Sequence, residues 1–89
     1  MPEIRVTVAS KVGLHARPAA LLAKAASGQA VPVAIRKEGG EQVDAASVLG
    51  LMTLGAMHGD EVILSAEGAG ADEALAAVAD IITTDLDGE

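Results

Sequence analysis

Residues 3 to 9, EIRVTVA, alternate between two faces: Ile4, Val6 and Val8 on one, Glu3, Arg5 and Thr7 on the other. A period of two predicts a half-buried strand. A loop over 10 to 15, containing Gly13, follows. The period then changes, because Ala19, Leu22, Ala23 and Ala26 recur at i, i+3, i+4 and i+7. That stripe predicts a helix from Ala16 to about Ser27, stopped by Gly28. Val31, Val33 and Ile35 alternate again, with Pro32 near the strand's start, where a missing N–H costs little. The turn chemistry of EGG at 38 to 40 should return the chain as a short partner strand, EQVD, in a hairpin. A short helix is expected from Ser47 to about Thr53, with Ser47 as its N-cap and Gly55 beyond its end. A Gly-Asp turn at 59 and 60 leads into a fourth strand, EVILSAE. Residues 71 to 84 form the last helix, with Ala71, Ala74, Leu75, Val78 and Ile82 on one face and Asp72 and Glu73 in the first turn, where acidic groups complement the helix dipole.

The expected order is therefore β-α-β-β-α-β-α. Strands with one apolar face and helices with matching stripes predict an α+β fold of two layers, helices covering one face of an antiparallel sheet. No internal repeat, linker or low-complexity tail interrupts it, so residues 1 to 89 are expected to form a single domain.

Composition narrows the picture. The chain has no Phe, Tyr, Trp or Cys. Its core must be aliphatic, and disulfides, thiol catalysis and thiolate metal sites are excluded. The formal net charge is −7. That opposes nucleic-acid binding, which needs cations to neutralise phosphates, and docking on an anionic membrane. The start, MPEIRVTV, lacks the basic region and apolar stretch of a secretory signal. No segment approaches the roughly 20 apolar residues of a membrane span. A cytoplasmic protein without direct membrane insertion is expected.

The chemistry concentrates in GLHARPAA, residues 13 to 20. With a helix starting at Ala16, His15 stands at its N-cap and Pro18 in its first turn, where proline loses no helical hydrogen bond. The unpaired N–H groups of that turn and the positive end of the dipole make an anion site. Arg17 adds a planar fork suited to phosphate oxygens. A positive environment also disfavours imidazolium, leaving a neutral ring able to attack. The set suits transient phosphorylation of His15 itself. A simple cap or surface role for a lone histidine remains an alternative. The chain has no phosphate-binding GxxxxGK[ST] loop and no carboxylate cluster for a magnesium ion, the parts an unaided phosphotransferase needs. It therefore reads as a substrate and donor for other enzymes, requiring no cofactor and no metal.

GLHARPAA is similar to the active-site signature of HPr, the histidine-containing phosphocarrier family of the bacterial phosphoenolpyruvate:sugar phosphotransferase system. Residues 45 to 68, AASVLGLMTLGAMHGDEVILSAEG, resemble that family's regulatory-serine segment. The resemblance spans nearly the whole chain. It implies an open-faced sandwich, a four-stranded antiparallel sheet with three helices on one side. It also implies that a phosphoryl group passes from phospho-enzyme I to Nδ1 of His15, beside Arg17, and on to sugar-specific EIIA domains. Ser47 matches the serine that an ATP-dependent HPr kinase/phosphorylase modifies in some bacteria. The family often carries basic residues near positions 27 and 49, where this chain has Ser27 and Leu49. On the implied docking face that leaves Arg17 and Lys24 as cations, with Ala20, Val48, Leu49 and Met52 beside them, so docking is expected to be less electrostatic. A monomeric carrier is expected. The alternatives are an HPr-like carrier for a specialised branch, such as nitrogen regulation or a dihydroxyacetone kinase, and a non-phosphorylated interaction module.

The remaining candidates read more plainly. His58 is expected in an exposed loop. Asp60 and Glu61 are expected as solvated turn and strand-start groups, and the acidic residues 85 to 89 as a frayed end. Met52 and Met57 read first as packing residues, though a flexible thioether also suits a surface that meets several partners. Ser47 needs no phosphorylation to justify it as a cap.

Overall fold

The computed structural model describes residues 3–9 and 16–83. The expected loop over 10 to 15, with His15 in it, and the acidic end at 85 to 89 lie outside the described residues. The elements are β1 (Glu3–Thr7), α1 (Ala16–Ser27), β2 (Ala34–Lys37), β3 (Val43–Asp44), α2 (Val48–Leu54), β4 (Glu61–Ser65) and α3 (Ala71–Ile82). Their order is the one the periodicity predicts. The strands form one antiparallel sheet in the order β1-β4-β2-β3. The last strand in sequence is thus inserted between the first two. Ile4 and Ile35 flank Leu64 in register, and Val6 and Lys37 flank Val62.

The helices cover one face of this sheet in an open-faced sandwich. Ile35, Val62 and Leu64 point into that layer and are fully buried with Leu22 of α1, Leu51 of α2 and Leu75 of α3. The stripes read from sequence are the buried ones: Ala19, Leu22, Ala23 and Ala26 in α1, and Ala71, Ala74, Leu75, Val78 and Ile82 in α3. Burying one such leucine stabilises the fold by about 1.5–3 kcal/mol. Small alanines on α1 and α3 let the helices approach closely, and α1 packs against both α2 and α3.

Several boundaries move. The second strand begins at Ala34 rather than Val31. Pro32 has no N–H to donate, so the ladder cannot extend back through it. Val33 is buried all the same, and its carbonyl accepts the Ala45 N–H at 2.9 Å. Only Val43 and Asp44 of EQVD pair as a strand. The turn before them is closed by the Gly40 N–H donating to Lys37 O at 2.9 Å, with Gly39 at φ 78°. The first strand stops at Thr7, after which Val8 and Ala9 donate to Asp60 O and Ile82 O. The fourth strand stops at Ser65, and α3 ends at Ile82 with Thr83 as its C-cap.

A single apolar face does not describe β4. Val62 and Leu64 face the helices, but Ile63 and Ser65 are also buried on the opposite side. A central strand has long side chains on both flanks, and Ile63 stands in register with Arg5 and Arg36. Aliphatic stems of such residues shield an apolar neighbour while their charged ends stay in water. Those ends are ion-paired: Arg5 with Glu38 and with Glu61 (3.4 Å), and Arg36 with Glu3 (3.7 Å); Lys37, in register with Val62, pairs with Asp60 (3.4 Å). The hydrogen bond and charge of Arg5 hold the Glu38 carboxyl below its ordinary range. The Asp60 carboxyl is lowered chiefly by the Met57 N–H that it accepts at 3.0 Å, with Lys37 assisting. Asp60 therefore closes the turn into β4 rather than standing merely solvated.

Leu64→Ala opens a cavity in the buried core between the sheet and the helices. It should cost about 2–5 kcal/mol, read as a lower urea midpoint by circular dichroism. A midpoint within error of the parent chain would show that β4 does not anchor the core.

Candidate functional site

α1 begins at Ala16, so the residue directly before it in the chain is His15. The rest of the predicted site divides between α1 and α2. On α1, Arg17, Ala20 and Lys24 are all exposed. Their spacing of three and four residues sets them along one helical stripe. Leu21, 39% exposed, lies on the same stripe and escaped the sequence reading. Its signal in the sequence is its spacing, four residues after Arg17 and three before Lys24, which a search for the buried face alone does not weigh.

On α2, Val48, Leu49 and Met52 are exposed by 38%, 75% and 40%. Leu49 and Met52 are three apart and Val48 and Met52 four apart, so one short face carries all three. The opposite side of α2 is fixed by Leu51, which is fully buried. Because α1 and α2 pack together, these apolar groups belong to the same helical layer as the Arg17–Lys24 stripe. Met57, in the turn after α2, is also exposed, as is His58.

Ser47 caps α2. Its backbone is extended (φ −102°, ψ 115°), and its Oγ accepts the Gly50 N–H at 3.0 Å. Its carbonyl accepts the Leu51 N–H at 2.9 Å. The approach is fixed upstream by Asp44, whose Oδ1 accepts the Ala46 N–H at 2.9 Å and whose carbonyl accepts the Ser47 N–H at 3.0 Å. Gly50 also matters here. A Cβ at that position would lie 3.3 Å from both Cβ and Oγ of Ser47 and 3.4 Å from Cβ of Val43. Neither Asp44 nor Gly50 was singled out from sequence. An Asp three residues before the cap and a Gly three residues after it were the available signals. At the other end, Gly55 closes α2 in the left-handed conformation (φ 71°).

Among the described residues no group of three or more His, Cys, Asp or Glu side chains could hold a metal ion. No helix among them is long and apolar enough to cross a membrane.

The protein family described as "PTS HPr component phosphorylation site" matches residues 2–84. The chain belongs to the HPr family. It is 42% identical over 87 residues to the phosphocarrier protein HPr of Streptomyces coelicolor, covering 98% of this chain and 94% of that one. Its fold matches a crystal structure of the phosphocarrier protein HPr from Bacillus anthracis with a TM-score of 0.85 at 38% identity, over 91% of this chain and 95% of that one. A crystal structure of HPr-C-His from Thermoanaerobacter tengcongensis matches with a TM-score of 0.84 at 41% identity, over 92% and 91%. The chain is thus a member of the phosphocarriers of the phosphotransferase system, whose work is done with that system's enzymes.

The cap carries a measurable share of stability. Ser47→Ala removes the acceptor of the Gly50 N–H and should cost about 1 kcal/mol, seen as a lower thermal midpoint. Ser47→Asn restores an acceptor and should recover most of that loss. Equal melting of the alanine variant and the parent chain would show that the Ser47 hydroxyl does not hold α2.

Proposed function

We propose that the chain is a phosphocarrier that accepts a phosphoryl group on Nδ1 of His15 from phospho-enzyme I and delivers it to EIIA domains. The observation that carries this reading is the position of His15, inside the family match and immediately before the first residue of α1. The neutral imidazole attacks phosphorus; the N–P bond forms as the bond to the donor breaks. The N–H groups of the first turn and the guanidinium of Arg17 are suited to balancing the charge on the phosphoryl oxygens. Delivery reverses the step, with an acceptor group on the EIIA domain taking the phosphoryl. The chain supplies no catalysis of its own beyond this carrier role.

In this reading residues 1 to 89 form one carrier domain that acts as a cytoplasmic monomer. The stripe of Arg17, Ala20, Leu21 and Lys24, with Val48, Leu49 and Met52, is the docking surface. Leu49 gives that surface an apolar centre. Ser47 is the regulatory position where a kinase is present. A phosphoserine adds about −1.5 to −2 charges at pH 7 beside the apolar contacts that a partner must desolvate, so transfer slows while the fold persists.

The test is incubation with phosphoenolpyruvate and enzyme I. An acid-labile adduct should form on the parent chain and be absent from His15→Ala, whose circular dichroism should match the parent's. Labelling retained in that variant, or found on His58, would overturn the assignment, and no adduct at all would favour an interaction module.

Leu49→Glu places a charge in the centre of the surface. It should weaken enzyme I binding about tenfold or more, as loss of a central contact does, with the melting midpoint close to the parent's. Unchanged affinity would move docking elsewhere.

A further inference from the structure

The chain contains three methionines but no cysteine, tryptophan or tyrosine. Its thioethers are therefore the side chains most open to attack by a peroxide. Two of them, Met52 and Met57, are described, and both are exposed, by 40% and 52%. Met52 differs from Met57 in its surroundings. It stands on α2 one turn from Val48 and Leu49, and these three are the exposed large apolar side chains of that helix. It belongs neither to the buried core nor to the residues packed against it. The helix is anchored by Leu51, fully buried on the other side, and by the Ser47 cap.

We propose that Met52 is an oxidative modification site, and that its conversion to the sulfoxide by a peroxide switches off partner docking. The inference rests on the carrier reading of the same surface. In the step, the sulfur attacks one peroxide oxygen. An S–O bond forms, the O–O bond breaks, and the other oxygen leaves as water after taking up a proton. The thioether loses two electrons and the peroxide gains them. Reversal consumes two thiols, which leave as a disulfide while the oxygen leaves as water; sulfoxide reductases carry out this chemistry.

The consequence follows from where the oxygen lands. A sulfoxide is a strong hydrogen-bond acceptor, whereas Val48 and Leu49 offer only hydrocarbon beside it. A partner that closes an apolar contact over α2 must strip water from that oxygen without replacing its hydrogen bonds. The folded chain on its own does not bury the group, so the modification weakens binding without melting the helix. A buried methionine would unfold the protein instead. Met57 lies outside α2, in the turn where its N–H donates to Asp60, and its oxidation leaves the α2 face apolar.

The experiment uses the full chain treated with hydrogen peroxide until mass spectrometry of its peptides shows one added oxygen at Met52. Phosphotransfer from enzyme I should fall about fivefold or more, the effect of spoiling a central contact, with the thermal midpoint unchanged. Treatment with a methionine sulfoxide reductase and a thiol should restore the rate. Met57→Leu should respond to peroxide as the parent does. Met52→Leu, whatever its starting rate, should show the same rate before and after peroxide. Transfer at the untreated rate with Met52 oxidised would overturn the inference, as would a response that persists in Met52→Leu. A large drop in thermal midpoint would overturn it too, by making the loss one of folding. An untreated chain that enzyme I does not phosphorylate would overturn the carrier reading, and this inference with it.

Discussion

The structure depends on β4 reaching its place between β1 and β2. Without that insertion the first strand has no partner in the sheet, because β1 pairs with β4 alone. The pairing is long-range, and its loop-closure cost must be met before any contact across it forms. What offsets the cost is burial on both sides of one five-residue strand. Val62 and Leu64 reach the helices, while Ile63 lies beside Arg5 and Arg36 on the other face. With no aromatic side chain to fill space, the core relies on branched aliphatics and on alanines that bring α1 and α3 together. A core built this way has little slack, since no single large side chain can repack to fill a gap.

The same strand explains which parts of the fold were legible in the sequence. Helical stripes were read without error in α1 and α3, because each buries one face and exposes the other. The strands were legible as elements but not in their limits. Val31 and Val33 look like strand residues because they alternate, and Val33 is indeed buried. Burial is not pairing, however, and Pro32 keeps the ladder from starting there. The double burial of β4 was hidden for a different reason. Its outer face lies beside Arg36 and Arg5, 27 and 58 positions from Ile63 in the chain, and a pattern within one strand carries no trace of them.

Within the candidate surface, the exposed positions on α1 and α2 could be read because two motifs marked them. Leu21 is less legible, because a leucine within a helical stripe points first to the core, and its exposure depends on how α1 is seated on its neighbours. The sheet's cations, Arg5, Arg36 and Lys37, are all matched by carboxylates there. In a chain of net charge −7, Arg17 and Lys24 on α1 are exposed and lie on the proposed docking surface. Surface ion pairs of this kind add little stability.

Ser47 joins folding and proposed regulation in one atom. As a cap, its Oγ must accept the Gly50 N–H, which holds the hydroxyl at the helix start. As a phosphorylation site, the same oxygen must become an ester, a poorer acceptor. The two roles are compatible only if another oxygen can take over the N–H, and a phosphoryl group brings three. Space for that exchange depends on the absence of a side chain at Gly50, where a Cβ would already crowd Ser47 at 3.3 Å. Asp44 acts from the other side: its carboxylate is occupied by the Ala46 N–H, which ties it to the turn rather than to the helix start. A negative group added at Ser47 therefore meets N–H donors ahead of it along α2. The loss falls on any partner that needs Val48 and Leu49 dry. The cap can thus survive a modification that the proposed docking surface does not.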